Sequence, residues 1–389
     1  MKYSSIVNKG RVLISSAFYI NILLSLLSQV PQLFETNLIL IFQSSWLFTL
    51  ALLFLTNNIK SNKTLNYLFF LIVSLFVFNL IMEGVSHESY LDIAHLLNIF
   101  KSFFILYISY QVAPLLSESD FLKKMGLVSL LGGFILCVSI YLYAFLEQFD
   151  INSKTYAYGS KNSASQIILS CLIFVIYLFN SSSFKWKFVK YVFIAFALYL
   201  MMILKSRGSL IGLMFFVLVN LKQNVNKKLV KLTLLLIIVL IVLLVFNESL
   251  RDVLVNSVFF AGRDSSDLNE ASSGRLDFYL AFPDLFYENI LLGRGRYFSE
   301  SFPLSVLIQE GIIGGFFVFL YVLTPVLFFK RKLSLTTPFQ ICFFLLIISY
   351  YFNGFFEEQA PLGPSVKNFY LWLCFGILLF KHETKLKPH

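Results

Sequence analysis

Charge is what this chain has least of. Of its 389 residues only 13% are Asp, Glu, Lys or Arg, and 58% are hydrophobic; soluble domains carry about 25% charged residues. A scarcity of that size excludes a soluble enzyme and a disordered chain, neither of which can keep so much apolar surface in water. Cysteine is equally sparse. Cys137, Cys171, Cys342 and Cys374 each lie inside an apolar run, without paired Cys/His spacing. That excludes a disulfide scaffold and a thiolate metal site, and leaves them as small core residues. The chain also lacks a Walker-type phosphate loop and any polar stretch long enough for a soluble domain. What remains is an all-α polytopic membrane protein in one integral membrane domain spanning residues 1–389. The net charge of +10 is then read against a membrane, and no nucleic acid is expected as a partner.

Apolar runs lie near 11–30, 37–55, 65–82, 96–116, 125–147, 164–180, 188–205, 208–221, 229–246, 304–329, 339–353 and 368–380. A crossing helix needs about 20 such residues. Taken as one helix, the stretch 188–221 would be about 51 Å long, against a hydrocarbon core of about 30 Å. It would also bury Lys205 and Arg207 in lipid, at a cost of several kcal/mol. Two spans joined by a tight turn at Ser206–Ser209 are cheaper, which predicts about twelve transmembrane helices.

Lysine supports that number. Lys2 and Lys9, Lys60 and Lys63, Lys123 and Lys124, Lys185, Lys187 and Lys190, Lys222 to Lys231, Lys330 with Lys332, and Lys381 to Lys387 all fall on the same side when both ends of the chain are cytoplasmic. The first apolar run lacks a small-residue cleavage site and reads as a retained helix. Arginine does the opposite. Of eight Arg only Arg11 and Arg331 face the cytoplasm, while Arg207, Arg251, Arg263, Arg275, Arg294 and Arg296 lie outside. A guanidinium is a permanently charged fork suited to phosphate or carboxylate. Either these six bind something anionic, or they pair with acids of the same loop such as Asp264, Asp277, Glu288 and Glu300.

Most outer connections are short, but 247–303 is a stretch of 57 residues, and loops of that length are usually functional. Within it Ser272 to Phe282 reads as a capped amphipathic helix stopped by Pro283 and lying along the membrane surface. Leu292-Gly293-Arg294-Gly295-Arg296-Tyr297 follows, where small glycines would let backbone and two cations approach a ligand. With no ATP-binding element, an enzyme of this design needs a substrate that is already activated at the outer face. A lipid-linked diphosphate sugar meets that need: its pyrophosphate sits among the headgroups and its tail in the bilayer.

The motifs now resemble those of a known family. Tyr158-Gly159-Ser160-Lys161-Asn162-Ser163-Ala164 resembles the G-x-x-N-x-x-A element of the O-antigen ligase/polymerase superfamily. Ser206-Arg207-Gly208-Ser209 resembles its S-R-G turn, Ser273-Gly274-Arg275-Leu276 and Leu292-Gly293-Arg294-Gly295 its large periplasmic loop, and Gln309-Glu310-Gly311-Ile312-Ile313-Gly314 the helix after it. The order agrees from about 155 to 325, whereas the first four spans agree only in hydropathy.

The resemblance implies a GT-C-like membrane fold, with a large extracytoplasmic loop carrying short amphipathic helices, in the bacterial inner membrane. It implies a metal-independent glycosyl transfer with no cofactor, using undecaprenyl-diphosphate-linked glycans as donor and acceptor. Carried over by position, Arg207 and Arg275 bind the donor diphosphate, with Arg294, Arg296, Arg263, Lys161 and Asn162 as further substrate-binding candidates. Membrane lipids and a chain-length regulator are the other partners implied.

The family divides into Wzy-type polymerases, which join repeat units, and ligases, which transfer glycan to lipid A-core. Ligases carry a His near the end of the large loop. Here the only histidines are His87, His95, His382 and His389, and the corresponding stretch reads Ser299-Glu300-Ser301-Phe302-Pro303. That favours a polymerase, with a ligase as the alternative and a flippase or transporter behind it. The acceptor hydroxyl then needs a carboxylate as base. Glu310 is the first candidate, being an ionisable group inside an apolar helix; its bland role is as a partner for a loop Arg. Glu300, Glu357 and Glu358 are runners-up. Lys101, inside the fourth span, pairs with Glu83 or Asp92 or lines a cavity.

Overall fold

The computed structural model describes residues 2–33, 36–56, 59–86, 89–146, 161–181, 183–204, 206–223, 267, 269, 272, 275–297, 299–358, 360–363 and 367–386. All regular structure among them is helical: α1 (Lys2–Leu27), α2 (Leu38–Leu55), α3 (Lys63–Val85), α4 (Ile93–Val112), α5 (Glu118–Leu146), α6 (Lys161–Leu178), α7 (Phe184–Ile203), α8 (Arg207–Gln223), α9 (Arg275–Tyr287), α10 (Phe302–Lys332), α11 (Pro338–Asn353) and α12 (Phe369–Leu386). Seven of these, α1 to α5, α7 and α10, are long and apolar enough to cross a membrane, and α6, α8 and α11 are shorter apolar helices. The chain is therefore a helical membrane protein. The apolar run 229–246 and residues 247–266 lie outside the described residues. As the cost of burying Lys205 and Arg207 anticipates, 188–221 is two helices, with α7 ending at Ile203 and α8 starting at Arg207.

Local chemistry sets the helix starts. The Asn62 side chain accepts from the Leu65 amide at 3.0 Å and caps α3. Thr337 and Gln340 close a capping box at α11, with Pro338 in the first turn. At the centre stands α12, buried on every face from Phe369 to Leu379, as expected of a helix that is apolar all round. It packs chiefly against α4. The Trp372 ring stacks on Tyr321 of α10 at 5.0 Å. Buried tyrosines find hydroxyl partners across helices: Tyr321 with Ser102 at 2.7 Å, Tyr370 with Ser129 at 2.8 Å and Tyr350 with Ser170 at 2.6 Å. Their polar tips are thus satisfied without water.

The bundle has two chemically distinct ends. At one, Lys60 binds Gln111 through its amide, Lys381 pairs with Glu118 at 2.7 Å, and Glu383 accepts from Tyr110 at 2.8 Å and from Asn62. At the other lie Arg207, Arg275, Arg294 and Arg296 with their neighbours. Four of the six arginines expected outside thus share one end among the described residues, and Lys367 joins them there.

Two expectations need correction. Pro283 does not stop α9, which runs on to Tyr287 with the proline inside. The missing amide costs one backbone bond on an exposed helix, and Phe282 and Phe286 stack across it at 5.4 Å. Lys101 bonds to neither Glu83 nor Asp92; it donates to Gln43 of α2 at 3.3 Å, while Glu83 accepts from the Tyr90 and Leu91 amides.

Candidate functional site

The arginine-bearing end is organised by a break in α10. Gly311 has φ 61° and ψ −163° inside the helix, a conformation open to glycine and costly for other residues. A break orphans backbone groups on both sides. Here the segment before α10 takes them up. The amides of Arg294 and Gly295 donate to the carbonyls of Ile308 and Gln309 at 2.9 and 3.1 Å, and the amides of Ile312 and Ile313 donate to Ile290 and Leu291 at 2.9 and 3.1 Å. Non-helical backbone within a membrane helix is thereby satisfied by protein, as it must be. Gly293 and Gly295 both have φ 76°, and a Cβ on Gly293 would run into the Gln309 carbonyl. These glycines therefore bring backbone against α10, which corrects the expectation that they bring it against a ligand.

Glu310 is the last residue before the break and only 4% exposed. One carboxylate oxygen accepts from Asn79 of α3 at 3.1 Å; the other has no hydrogen-bond partner among the described residues. Its neighbour Gln309 turns the opposite way, donating to the Tyr297 carbonyl, to Ser305 at 3.0 Å and to Glu358 at 3.5 Å.

The second organiser is the turn that follows α11. Phe302 donates its amide to Gly354 at 2.7 Å, the Tyr279 hydroxyl bonds Phe355 at 2.9 Å, and Arg275 bonds the Phe356 carbonyl at 3.2 Å. The Arg275 guanidinium also donates to the Ser272 carbonyl at 3.1 Å and pairs with Glu300 at 2.6 Å. The fork thus ties the start of α9, the entry to α10 and this turn together. Arg294 pairs with Glu288 at 2.9 Å and lies over the Tyr297 ring. Arg296 is the more accessible, with its side chain 70% exposed and 3.9 Å from Asp92.

Adjacent carboxylates on the turn point to different sides. Glu357 accepts from Asn162 and lies 3.9 Å from the ammonium of Lys367, a residue that is 0% exposed and donates to Ser163 at 3.2 Å. Asn353 joins the same side, bonding Gln166 of α6 at 3.0 Å, and a Cβ on Gly208 would strike its side chain. Glu358 turns to α10, accepting from Ser305 at 3.4 Å and from Gln309, with Asp92 and Arg296 within electrostatic reach. Burial, reinforced by Asp92, pushes the Glu358 carboxyl above the usual carboxylate range, opposed by its hydrogen bonds and Arg296. Burial lowers Lys367 from the usual lysine value, and Glu357 opposes it.

The residues expected from sequence are therefore partly assembled. Asn162, Arg275 and, through Gly208, Arg207 meet the turn at 353–357; Glu310, Arg294 and Arg296 gather at the break in α10. Lys161 opens α6, but its side chain lies outside the described residues, as does Arg263. Lys367, Asn353 and Asp92 carried no expectation of a role at this end. A lone lysine one residue before an apolar run was the only signal for Lys367. Among the described residues, no three His, Cys, Asp or Glu come together as metal ligands would.

What fold and site define together is an all-helical membrane protein with a polar, arginine- and carboxylate-bearing end built around a broken helix and a turn. Compared with known proteins, the chain matches no family model and no curated protein.

Proposed function

We propose that the chain is a membrane glycosyltransferase of the polysaccharide-polymerase type, joining undecaprenyl-diphosphate-linked repeat units at the outer face of the bacterial inner membrane. One observation carries this reading. Four sequence elements far apart in the chain supply Asn162, Gly208, Arg275 and the Gln309–Gly311 break, and all four meet at one end of the bundle around the turn at 353–358. In this reading the arginine-rich end is extracytoplasmic and the lysine-rich end cytoplasmic. Phe216 of α8 packs on Tyr177 near the end of α6, so α8 runs away from the arginine end to which the chain has returned by Arg275. This reading keeps the expectation of twelve crossings, with the apolar run 229–246 among them and 247–303 as the large outer loop.

Arg207 and Arg296 grip diphosphate oxygens, with Arg294, Arg263, Lys161 and Asn162 in support. Arg275 exchanges its pairing with Glu300 for the diphosphate. Fixed cations stabilise the charge that develops on the diphosphate as it leaves. The acceptor hydroxyl needs a proton acceptor, and Glu310 and Glu358 are the carboxylates at this place. A chain-length regulator is the protein partner of this reading.

The test is the full chain in lipid nanodiscs with defined diphosphate-lipid repeat units and a chain-length readout. Wild type lengthens the chains, and Arg207→Ala abolishes polymer while leaving membrane insertion intact. Arg207→Lys does not restore the wild-type rate, because a point charge replaces a fork. Normal chain length from Arg207→Ala contradicts the reading. A ligase of the same fold is the second reading, favoured by one observation: His95, buried beside Asp92, brings an imidazole to this end. In cells, loss of a polymerase leaves single repeats on the surface lipid and loss of a ligase leaves none.

A further inference from the structure

A lysine that is 0% exposed stands beside the turn at 353–358. A buried ion pair adds little net stability, because desolvation offsets most of the Coulomb attraction. What Lys367 does for its neighbours therefore outweighs what it does for the fold. Its ammonium donates to Ser163, in the first turn of α6, at 3.2 Å and lies 3.9 Å from Oε2 of Glu357. The other oxygen of that carboxylate, Oε1, accepts from the side-chain amide of Asn162. Asn162 and Ser163 are chain neighbours, so Lys367, Glu357 and the start of α6 close a ring.

The chemistry of the Asn162 amide fixes what else it can hold. A carboxylate only accepts, so it is the amide nitrogen that faces Glu357. That nitrogen carries two N–H donors; one goes to Glu357, and the second can go to a further acceptor. Two acceptors at ordinary hydrogen-bond length on one such nitrogen stand about 5 Å apart. If the second is a diphosphate oxygen, two anions meet on a single amide, and a bare carboxylate would repel the ligand it helps to present. Lys367 removes that conflict. Burial lowers Lys367 from the usual lysine value and Glu357 opposes the shift, so the carboxylate supports the charge that answers it.

We propose that Lys367 is a positioning residue of the donor site: its ammonium cancels the charge of Glu357, which lets Glu357 orient the Asn162 amide without repelling the diphosphate held by the same amide. This rests on the glycosyl-transfer reading above, in which Asn162 supports the donor diphosphate. Lys367 itself does not touch the substrate, being wholly buried with its ammonium against Ser163 and Glu357. Its effect therefore falls on donor affinity and passes through the charge of Glu357. A packing role has a different signature: loss of the lysine would then be felt whether or not position 357 is charged.

The deciding experiment compares wild type, Lys367→Met and the double variant Lys367→Met/Glu357→Gln in lipid nanodiscs. Undecaprenyl diphosphate is the binding probe, and a synthetic undecaprenyl-diphosphate oligosaccharide is the substrate. Lys367→Met is expected to weaken binding of the probe and to raise the donor KM by about tenfold or more, as an unanswered like charge does, with kcat changed less. The double variant is expected to return both close to wild type, because a glutamine amide still accepts from Asn162 and carries no charge. Lys190→Met, which removes a cation bonded to the Phe179 carbonyl at 2.8 Å beyond the far end of α6, is expected to bind like wild type. If Lys367→Met does not purify as a single species, Lys367→Gln replaces it with the same expected rise, since it keeps donors without charge. Wild-type affinity in the Lys367 variant, or a loss that the double variant retains, overturns the proposal. Wild type that binds the probe but does not lengthen the oligosaccharide overturns the glycosyl-transfer reading instead, and is told apart because binding is read without turnover. Wild type that binds no undecaprenyl diphosphate overturns both.

Discussion

Three residues show where single atoms decide the site. Gly208 has no room for a side chain, because an added methyl meets the Asn353 amide that also bonds Gln166. Gly208→Ala should lower stability by about 1–3 kcal/mol through overpacking, read as a lower unfolding temperature in detergent, and Asn353→Ala in the same chain should recover part of it. Gly293→Ala should cost more, since it adds strain at φ 76° to a clash with backbone. Lys367 makes a prediction about pH. The folded chain holds its proton less tightly than the unfolded chain does, so stability is lower below the folded value and rises as pH climbs towards the ordinary lysine value. Thermal unfolding from neutral to alkaline pH should show that rise in wild type and a flatter curve in Lys367→Met; identical curves would refute it. Arg207 and Arg275 were legible as unusual from their placement against the lysine pattern. Pairing with acids of the same loop was legible as well, and Arg275 meets Glu300 and Arg294 meets Glu288; that Arg275 also reaches the Phe356 carbonyl was not, because Phe356 is distant in sequence.

At the scale of elements, α9 is held to the bundle largely by that fork and by the Tyr279 hydroxyl, since none of its own residues is buried. Arg275→Ala should therefore loosen α9 without unfolding the bundle. A cysteine at Leu280, already exposed, serves as an unchanged control, while one at Phe356 should gain reactivity towards a water-soluble thiol reagent. If reactivity at Phe356 stays at the parent value, the clamp is not structural. The start of α9 was visible from Ser272 and Arg275, but its end was not. Proline removes one backbone hydrogen bond, and the helix carries on past it with Phe282 stacked on Phe286. The break in α10 was invisible for a related reason. Gly311 is one of three glycines in this stretch, with Gly314 and Gly315, and nothing local marks it as the break; the segment at 290–295, by pairing with the exposed backbone, supports the non-helical glycine there.

For the whole molecule the consequence is a polarity of ends. In sealed vesicles, single cysteines at Lys60 and Lys381 should react with an impermeant reagent from one side, and cysteines at Glu288 and Arg296 from the other. Reaction of both pairs from the same side would contradict the bundle. Apolar run lengths, lysine placement and the cost of burying Lys205 with Arg207 were enough to anticipate a helical membrane protein and the separation of α7 from α8. α12, by contrast, proves to be the central helix, buried on every face. Nothing in its composition distinguishes that position from a lipid-facing one, because lipid and protein interior are equally apolar to a helix side chain.

By itself the sequence determined what must avoid water and where its few charges stand along the chain, since transfer free energies and charge belong to residue types wherever the chain leads them. Only the tertiary structure decided which carboxylate is sealed behind a broken helix, which one lies within electrostatic reach of Asp92 and Arg296, and which acids the loop arginines meet. Those outcomes depend on partners brought from distant parts of the chain, and a hydrogen bond has no existence until both of its groups arrive.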